Sequence, residues 1–303
     1  MGIKEIDNIR NEYAIKKGLW DLLDLFSSHI SLSRDSTVMI KVNLCLLMGP
    51  ETGATVDPVV AKILCKWLLK NYQIRRIYIG EADATHLSAD LAFKILGWEE
   101  IFHNFKKVEL LNLSKDDQVK VQFQGLSIKN PNMSTKYMHA DYLISLAKLK
   151  THTQQRITCI MKNHFGAMSE KYKVKYHPQL SEAICDMVKI RPADLSVIDG
   201  LVGMEGNGPT NGVPRISKLL IVGSDPVATD LFAAKVMGAP AARVPHLKLA
   251  KRIGLGESDY SVMGQAPPSI RHGYYFMPLW KQILKKSLDF IRDRNQSTGI
   301  ADG

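Results

Sequence analysis

The four cysteines of this chain, Cys45, Cys65, Cys159 and Cys185, are far apart and form no C-x-x-C pair. A cysteine-ligated zinc or a ferredoxin-type cluster needs closely spaced thiols, so neither has support in the sequence. No window approaches eighteen consecutive apolar residues, so no membrane span is expected. The start, Met1-Gly2-Ile3-Lys4-Glu5, lacks an apolar signal core, and Asp7 spoils a myristoylation pattern. Also missing are an arginine-rich block, the aromatic run of an RNA-binding domain, a Walker A loop and a G-x-G-x-x-G turn between strand and helix. These absences argue against an iron–sulfur carrier, a membrane-embedded protein and the common nucleotide-binding classes. A reducing cytoplasm is the expected location.

What is present is positive charge. Forty Lys and Arg against thirty Asp and Glu give a formal charge of +10, which favours anionic partners: phosphorylated or carboxylated metabolites, nucleic acid or an anionic membrane surface. The basic residues are spread along the chain, so nucleic acid is the weaker of these readings.

Apolar periodicity alternates between strand and helix. Leu19–Phe26 reads as an amphipathic helix and Thr37–Asn43 as a strand. Asp57-Pro58 opens a helix, with Asp57 as N-cap and Pro58 at the first helical position. Strands are expected at 74–79, 108–113, 118–123, 142–147, 193–198 and 219–222, and helices at 87–96, 153–163, 180–189, 226–237 and 245–253. The pattern predicts an α/β fold, a mainly parallel (mixed) sheet with helices on both faces. The expected division is an N-terminal helical segment (1–36), a single α/β domain (37–265) and a C-terminal basic amphipathic helix and tail (266–303). Residues 1–16 and 295–303 look loosely held.

In open α/β sheets ligands bind beyond the carboxyl ends of the strands. Five strand ends here deliver polar groups: Lys41 and Asn43; Glu81 and Asp83; Lys148, Lys150, Thr151 and His152; Asp199; and Ser224 with Asp225. The stretch K-L-K-T-H is the most informative, because the apolar strand 142–147 is expected to stop there in lysines and a histidine. Lys148 and Lys150 are two apart and would share a face of an extended chain, as an anion clamp or with one lysine as base or nucleophile. Two solvated loop lysines are the plainer alternative. His152 is a candidate general acid/base or metal ligand, or simply a hydrogen-bonded histidine. Lys162, Asn163 and His164 fall near a helix C-terminus, where the dipole already favours Lys and His. Thr55 precedes a helix N-terminus and could meet an anion there or belong to the cap. Asp230 stands on an otherwise apolar helix.

Residues 199–214 carry five glycines among Asp199–Asn211 and Gly212. They are expected to form a long loop whose backbone N–H groups, at Gly206, Asn207 and Gly208, cradle an anion; a hairpin excursion is the alternative. Glu81, Asp199, Glu205 and the histidines leave a divalent metal open, although no tight ligand spacing demands one. Trp280, Lys281, Lys285 and Lys286 lie on the basic tail helix, which could touch a membrane surface or dock on the domain.

Taken in order, these pieces resemble a known family. Lys41-Val42-Asn43; Gly53-Ala54-Thr55-Val56-Asp57-Pro58; Leu149-Lys150-Thr151-His152; Met161-Lys162-Asn163-His164-Phe165-Gly166; Asp199-Gly200 with Glu205-Gly206-Asn207-Gly208-Pro209; Asp225-Pro226 through Asp230; and Gly254-Leu255-Gly256 match the domain-of-unknown-function 362 family over about residues 37–265. The resemblance implies a family fold but little established chemistry. Many members carry an appended ferredoxin-type cysteine module that this chain lacks. The arrangement is also loosely similar to nickel-dependent lactate racemase-like proteins.

The sequence reading is therefore an enzyme doing proton-transfer chemistry (isomerisation, elimination or condensation) on a small anionic metabolite. Lys150, His152, Glu81, Asp199 and Glu205 are the expected catalytic groups. Lys41, Asn43, Thr55, Lys148, Thr151, Lys162, Asn163, Gly206, Asn207 and Gly208 are the expected substrate contacts. A metal-dependent enzyme using His and carboxylate ligands is one alternative; a non-catalytic binder of nucleic acid or anionic membrane is the other.

Overall fold

The computed structural model describes residues 1–85, 87–264 and 273–278. In chain order its elements are β1 (Gly2–Glu5), α1 (Glu12–Leu25), β2 (Thr37–Lys41), α2 (Pro58–Asn71), β3 (Arg76–Glu81), α3 (Ala89–Ile95), α4 (Trp98–Phe102) and β4 (Val108–Asn112). A small hairpin, β5 (Gln118–Lys120) and β6 (Asn132–Ser134), precedes α5 (Thr135–His139) and β7 (Tyr142–His152). Then follow β8 (Arg156–Thr158), α6 (Ile160–Gly166), α7 (Leu180–Ile190), β9 (Leu195–Glu205), β10 (Val213–Gly223), α8 (Pro226–Met237) and α9 (Pro245–Arg252).

The main sheet has the order β1-β10-β9-β7-β2-β3-β4, with β8 added to β7. Pairs β9/β7, β7/β2, β2/β3 and β3/β4 are parallel, and those made by β1, β8 and β10 are antiparallel. Strand alternation divides the apolar residues between two layers. Val38 and Ile40 of β2 join Leu19 of α1 and Leu64 of α2, whereas Met39 joins the core beneath α6 to α9. The fold is thus the expected mainly parallel, mixed sheet with helices on both faces. Caps fall where the sequence placed them. The Asp57 carboxylate accepts from Val59 N at 2.8 Å and that of Asp225 from Ala228 N at 2.7 Å, while Gly97 and Gly238 take left-handed φ values of 74° and 81° at helix boundaries.

Four expectations are corrected. Strand β7 does not stop at Lys148: all eleven of its residues through His152 are buried, because β9 flanks it on one side and β8 pairs antiparallel with Lys150–His152. Residues 153–163 are not one helix but a turn, β8 and the start of the short α6; Arg156, at φ 65°, lies at the hairpin. Residues 199–214 are mostly sheet, since β9 runs to Glu205 and β10 starts at Val213, so the alternative hairpin reading holds. Residues 1–16 are not loose: β1 pairs with β10, and Met1, Ile3 and Ile6 are buried. From residue 279 onward, the expected tail helix, with Trp280, Lys281, Lys285 and Lys286, lies outside the described residues. No helix among the described residues is long and apolar enough to cross a membrane.

Candidate active site

From β2 the chain moves outward through β3 to β4 and then returns to place β7 on the other side of β2. The crevice between β2 and β7 is therefore the switch point of the sheet, where ligands bind beyond the carboxyl ends. A pocket of ≈ 140 Å³ opens there, and its walls carry Lys41, Lys150, Lys162 and Lys173, together with Glu81 and Cys45.

Each lysine arrives by a different route. Lys41 is the last residue of β2 and is fully buried. Its Nζ pairs with Glu81 Oε1 at 2.7 Å and donates to Val42 O at 2.6 Å and Asn163 Oδ1 at 3.2 Å. Burial pulls its pKa down and Glu81 opposes that shift. Lys150, near the end of β7, donates to Asn43 Oδ1 at 2.8 Å and Ala54 O at 2.7 Å, and lies 3.1 Å from Cys45 Sγ. Lys162, on α6, lies 4.7 Å from the centre of the Phe165 ring. Lys173 donates to Asp83 O at 2.6 Å. Burial first, then the neighbouring positive charge of Lys150, pushes Lys162 down to about 8. Burial also lowers Lys173 to about 8, partly offset by Glu81.

Asn163 joins the walls. Its Nδ2 donates to Lys41 O and Ser145 Oγ, both at 3.0 Å, while Oδ1 accepts from Lys41 and, at 3.4 Å, from Asn43 Nδ2. Helix α6 is held in place by Asp230 of α8, whose carboxylate accepts from Ile160 N at 2.7 Å and Met161 N at 3.0 Å. That accounts for the charge on an apolar helix: a buried anion caps the positive end of α6. Asp230→Ala orphans two buried N–H groups at about 1–3 kcal/mol each. We expect a loss of about 2–6 kcal/mol in urea unfolding; an unchanged midpoint would contradict this role.

Other expected site residues sit elsewhere. Lys148 forms no clamp with Lys150; it pairs with Asp199 at 2.8 Å, both side chains buried. Asp199 also accepts from Asp57 N and Leu201 N, so both oxygens of that carboxylate have partners, and the residue is not in the pocket wall. His152 Nδ1 accepts from Gln154 N at 3.1 Å and Gln155 N at 3.2 Å. Burial, with Lys162 next, holds its pKa well below the usual histidine range. Through Nδ1 the ring caps the turn between β7 and β8. Glu205 braces Arg215 and Tyr275 N, each at 3.0 Å. Thr55 is buried, donating to Met48 O, and Thr151 donates to Gly206 O. At the glycine tip the Gly206 N–H is engaged with Tyr275 O, while the carbonyls of Gly208 and Asn207 accept from Thr153 N and Asn211 N. A Cβ at Gly208 would sit 2.1 Å from Thr151 O, so this glycine is required for close backbone packing. The tip carries Pro209 to the pocket wall.

Sequence reasoning missed Cys45 and Lys173. Cys45 lies two residues beyond Asn43 on a strand-end loop that was already in view. Lys173 lies in a polar run that reads as ordinary solvated surface. Among the described residues no three His, Cys, Asp or Glu side chains converge as metal ligands. The alternative of metal chemistry with His and carboxylate ligands therefore gains no support from them.

Comparison with known proteins gives three similarities. The chain is 33% identical over 136 residues to a thylakoid-associated protein of Synechocystis sp., a match covering 43% of this chain and 42% of that protein. The chain thus spans less than half the length of that relative. The lactate racemase apoprotein of Thermoanaerobacterium thermosaccharolyticum superposes with a TM-score of 0.45 at 12% identity, covering 77% of this chain and 56% of that one, a likeness too slight to bear on activity. The model of a domain of unknown function, DUF362, matches residues 38–235. That match takes in β2, β7, α6 and the pocket between them, and on it the chain belongs to the DUF362 family.

Proposed function

We propose that this protein is an enzyme acting by proton transfer on a small anionic metabolite, a carboxylate or phosphate ester, with isomerisation, elimination or condensation as the reaction class. One observation carries the reading: four lysines and a single carboxylate surround a pocket of ≈ 140 Å³. Like charges brought together out of water are costly, and a bound anion offsets that cost. The pocket is smaller than the roughly 300–1,000 Å³ of drug-sized sites, so it suits an anionic group and a few attached carbons.

Lys41 and Lys150 are the fixed cations in this proposal. Lys41 is oriented by Glu81 and Asn163, and Lys150 by Asn43 and Ala54 O. Lys162 and Lys173, both near 8, have the pKa that a general acid or base needs close to neutral pH. They take the proton-transfer role that the sequence had assigned to His152. A cytoplasmic location and a small-molecule partner are parts of the same proposal.

The test is solvent exchange. In D2O, wild-type protein is expected to wash deuterium into a C–H next to the carbonyl or carboxylate of at least one compound in a panel of small oxo acids, hydroxy acids and phosphate esters, read by proton NMR. Lys162→Met is expected to slow the exchange about 100-fold or more, the typical contribution of a general acid or base. Equal exchange by Lys162→Met would remove Lys162 from the chemistry, and no exchange across the panel would count against the reaction class.

A further inference from the structure

We propose that Lys162 is a nucleophilic amine that forms an imine with the carbonyl of an oxo acid whose carboxylate the other pocket lysines hold. This rests on the anion-site reading, gives Lys162 a covalent role and leaves proton transfer to Lys173, and narrows the substrate class from any small anion to one bearing a ketone or aldehyde. The geometry separates Lys162 from its three neighbours. Lys41 is bound to Glu81, Val42 O and Asn163 Oδ1; Lys150 to Asn43 Oδ1 and Ala54 O; Lys173 to Asp83 O. Each of those ammonium groups donates to oxygens that would have to be left unsatisfied before it could release a proton and attack. Among the described residues, Lys162 has no hydrogen-bond acceptor or carboxylate partner; its contact is the Phe165 ring at 4.7 Å. It lines the pocket beside Lys150 and Lys173. Lys162 is half-buried, and an amine set against an aromatic ring and among other cations is the arrangement that activates lysine as a nucleophile. Its lowering to about 8 has the same cause.

The step balances without an outside reagent. The neutral Nζ lone pair attacks the carbonyl carbon, the C–N bond forms, the C=O π pair goes to oxygen, and one of the two Nζ protons moves to that oxygen. Loss of that oxygen as water leaves the protonated imine. The Lys173 ammonium stands in the same pocket as a proton donor to the departing oxygen. The imine then acts as an electron sink, which lowers the cost of removing a proton from the adjacent carbon.

The experiment uses pyruvate as probe, with sodium borohydride to reduce any imine, followed by peptide mass spectrometry. A carboxyethyl group is expected on Lys162 and not on Lys41, Lys150 or Lys173. At saturating pyruvate its yield is expected to rise with pH as the amine is freed and to level off before that of surface lysines does. Lys162→Met is expected to lose the adduct while still binding pyruvate at pH 7, measured by calorimetry, more weakly than wild type because Lys41, Lys150 and Lys173 remain in the pocket wall. Pyruvate binding without an adduct on Lys162, or equal labelling of the Lys162→Met protein, overturns the imine and leaves the anion site standing. Failure of both pyruvate and sulfate to bind overturns the anion-site reading and the imine with it.

Discussion

Asp199→Ala is expected to lose about 3–5 kcal/mol of folding stability, the usual result of removing one partner from a buried ion pair. Lys148 and Asp199 are both buried, at 1% and 0% side-chain exposure, so the ammonium left behind has no route to water. The carboxylate also accepts from Asp57 N at 2.9 Å and Leu201 N at 3.1 Å. Its loss therefore loosens the start of α2 and β9 at Leu201 together. The double variant Asp199→Leu with Lys148→Met is expected to recover part of the loss, because no unpaired charge remains. Chemical unfolding of the two variants measures this. A single variant as stable as wild type would mean that the pair is not a structural fixture and would return Asp199 to the list of active groups.

Anion affinity is expected to collapse as pH rises through 8. Burial lowers Lys162 and Lys173 to about 8 in the free protein. Below that pH both are ammonium groups; above it they become neutral amines. An anion binds the charged form and raises its pKa, so the affinity is fully present below about pH 7 and is lost above 8. Each lysine that must take up a proton on binding adds at most a factor of about ten per pH unit, so the pair gives up to about 100-fold per unit. Sulfate is a suitable probe because it does not itself titrate in this range. Lys173→Met removes one titrating group and is expected to reduce the limiting slope to about tenfold per unit. A pH-independent sulfate affinity between pH 6 and 10 would show that neither lysine faces the ligand.

Much of the site was legible because strand ends announce themselves. Lys41, Asn43, Glu81 and Lys150 follow apolar runs, and the parallel topology inferred from those runs sends their ends to one edge. Asn163 was the least explained residue of its cluster, and it turns out to bridge β2, β7 and α6. What could not be read is which charges face each other. Lys148 and Lys150 are two residues apart on one strand, yet one is spent on Asp199 and the other on the pocket wall. Nothing in their own sequence separates a structural pair from a ligand contact, because the decision depends on the register with β9 and on the loop after β2. The glycines of residues 200–212 suggested a long loop where the chain is mostly sheet. Glycine is compatible with a ligand cradle and with close strand packing alike, and at Gly208 the backbone of Thr151 takes the space. His152 followed the same pattern: a histidine at a strand end reads as reactive, but here its ring caps the turn into β8.

The central claim is that the lysine pocket between β2 and β7 holds an anion. Calorimetric titration with sulfate at pH 7 tests it most directly, comparing wild type, Lys150→Met and the surface control Lys94→Met, with thermal unfolding of each to verify folding. The expected result is wild-type binding that the control keeps and that folded Lys150→Met loses by about 10- to 100-fold, the worth of a hydrogen bond to a charged group. Equal sulfate affinity in all three proteins, or no binding by wild type, would contradict it.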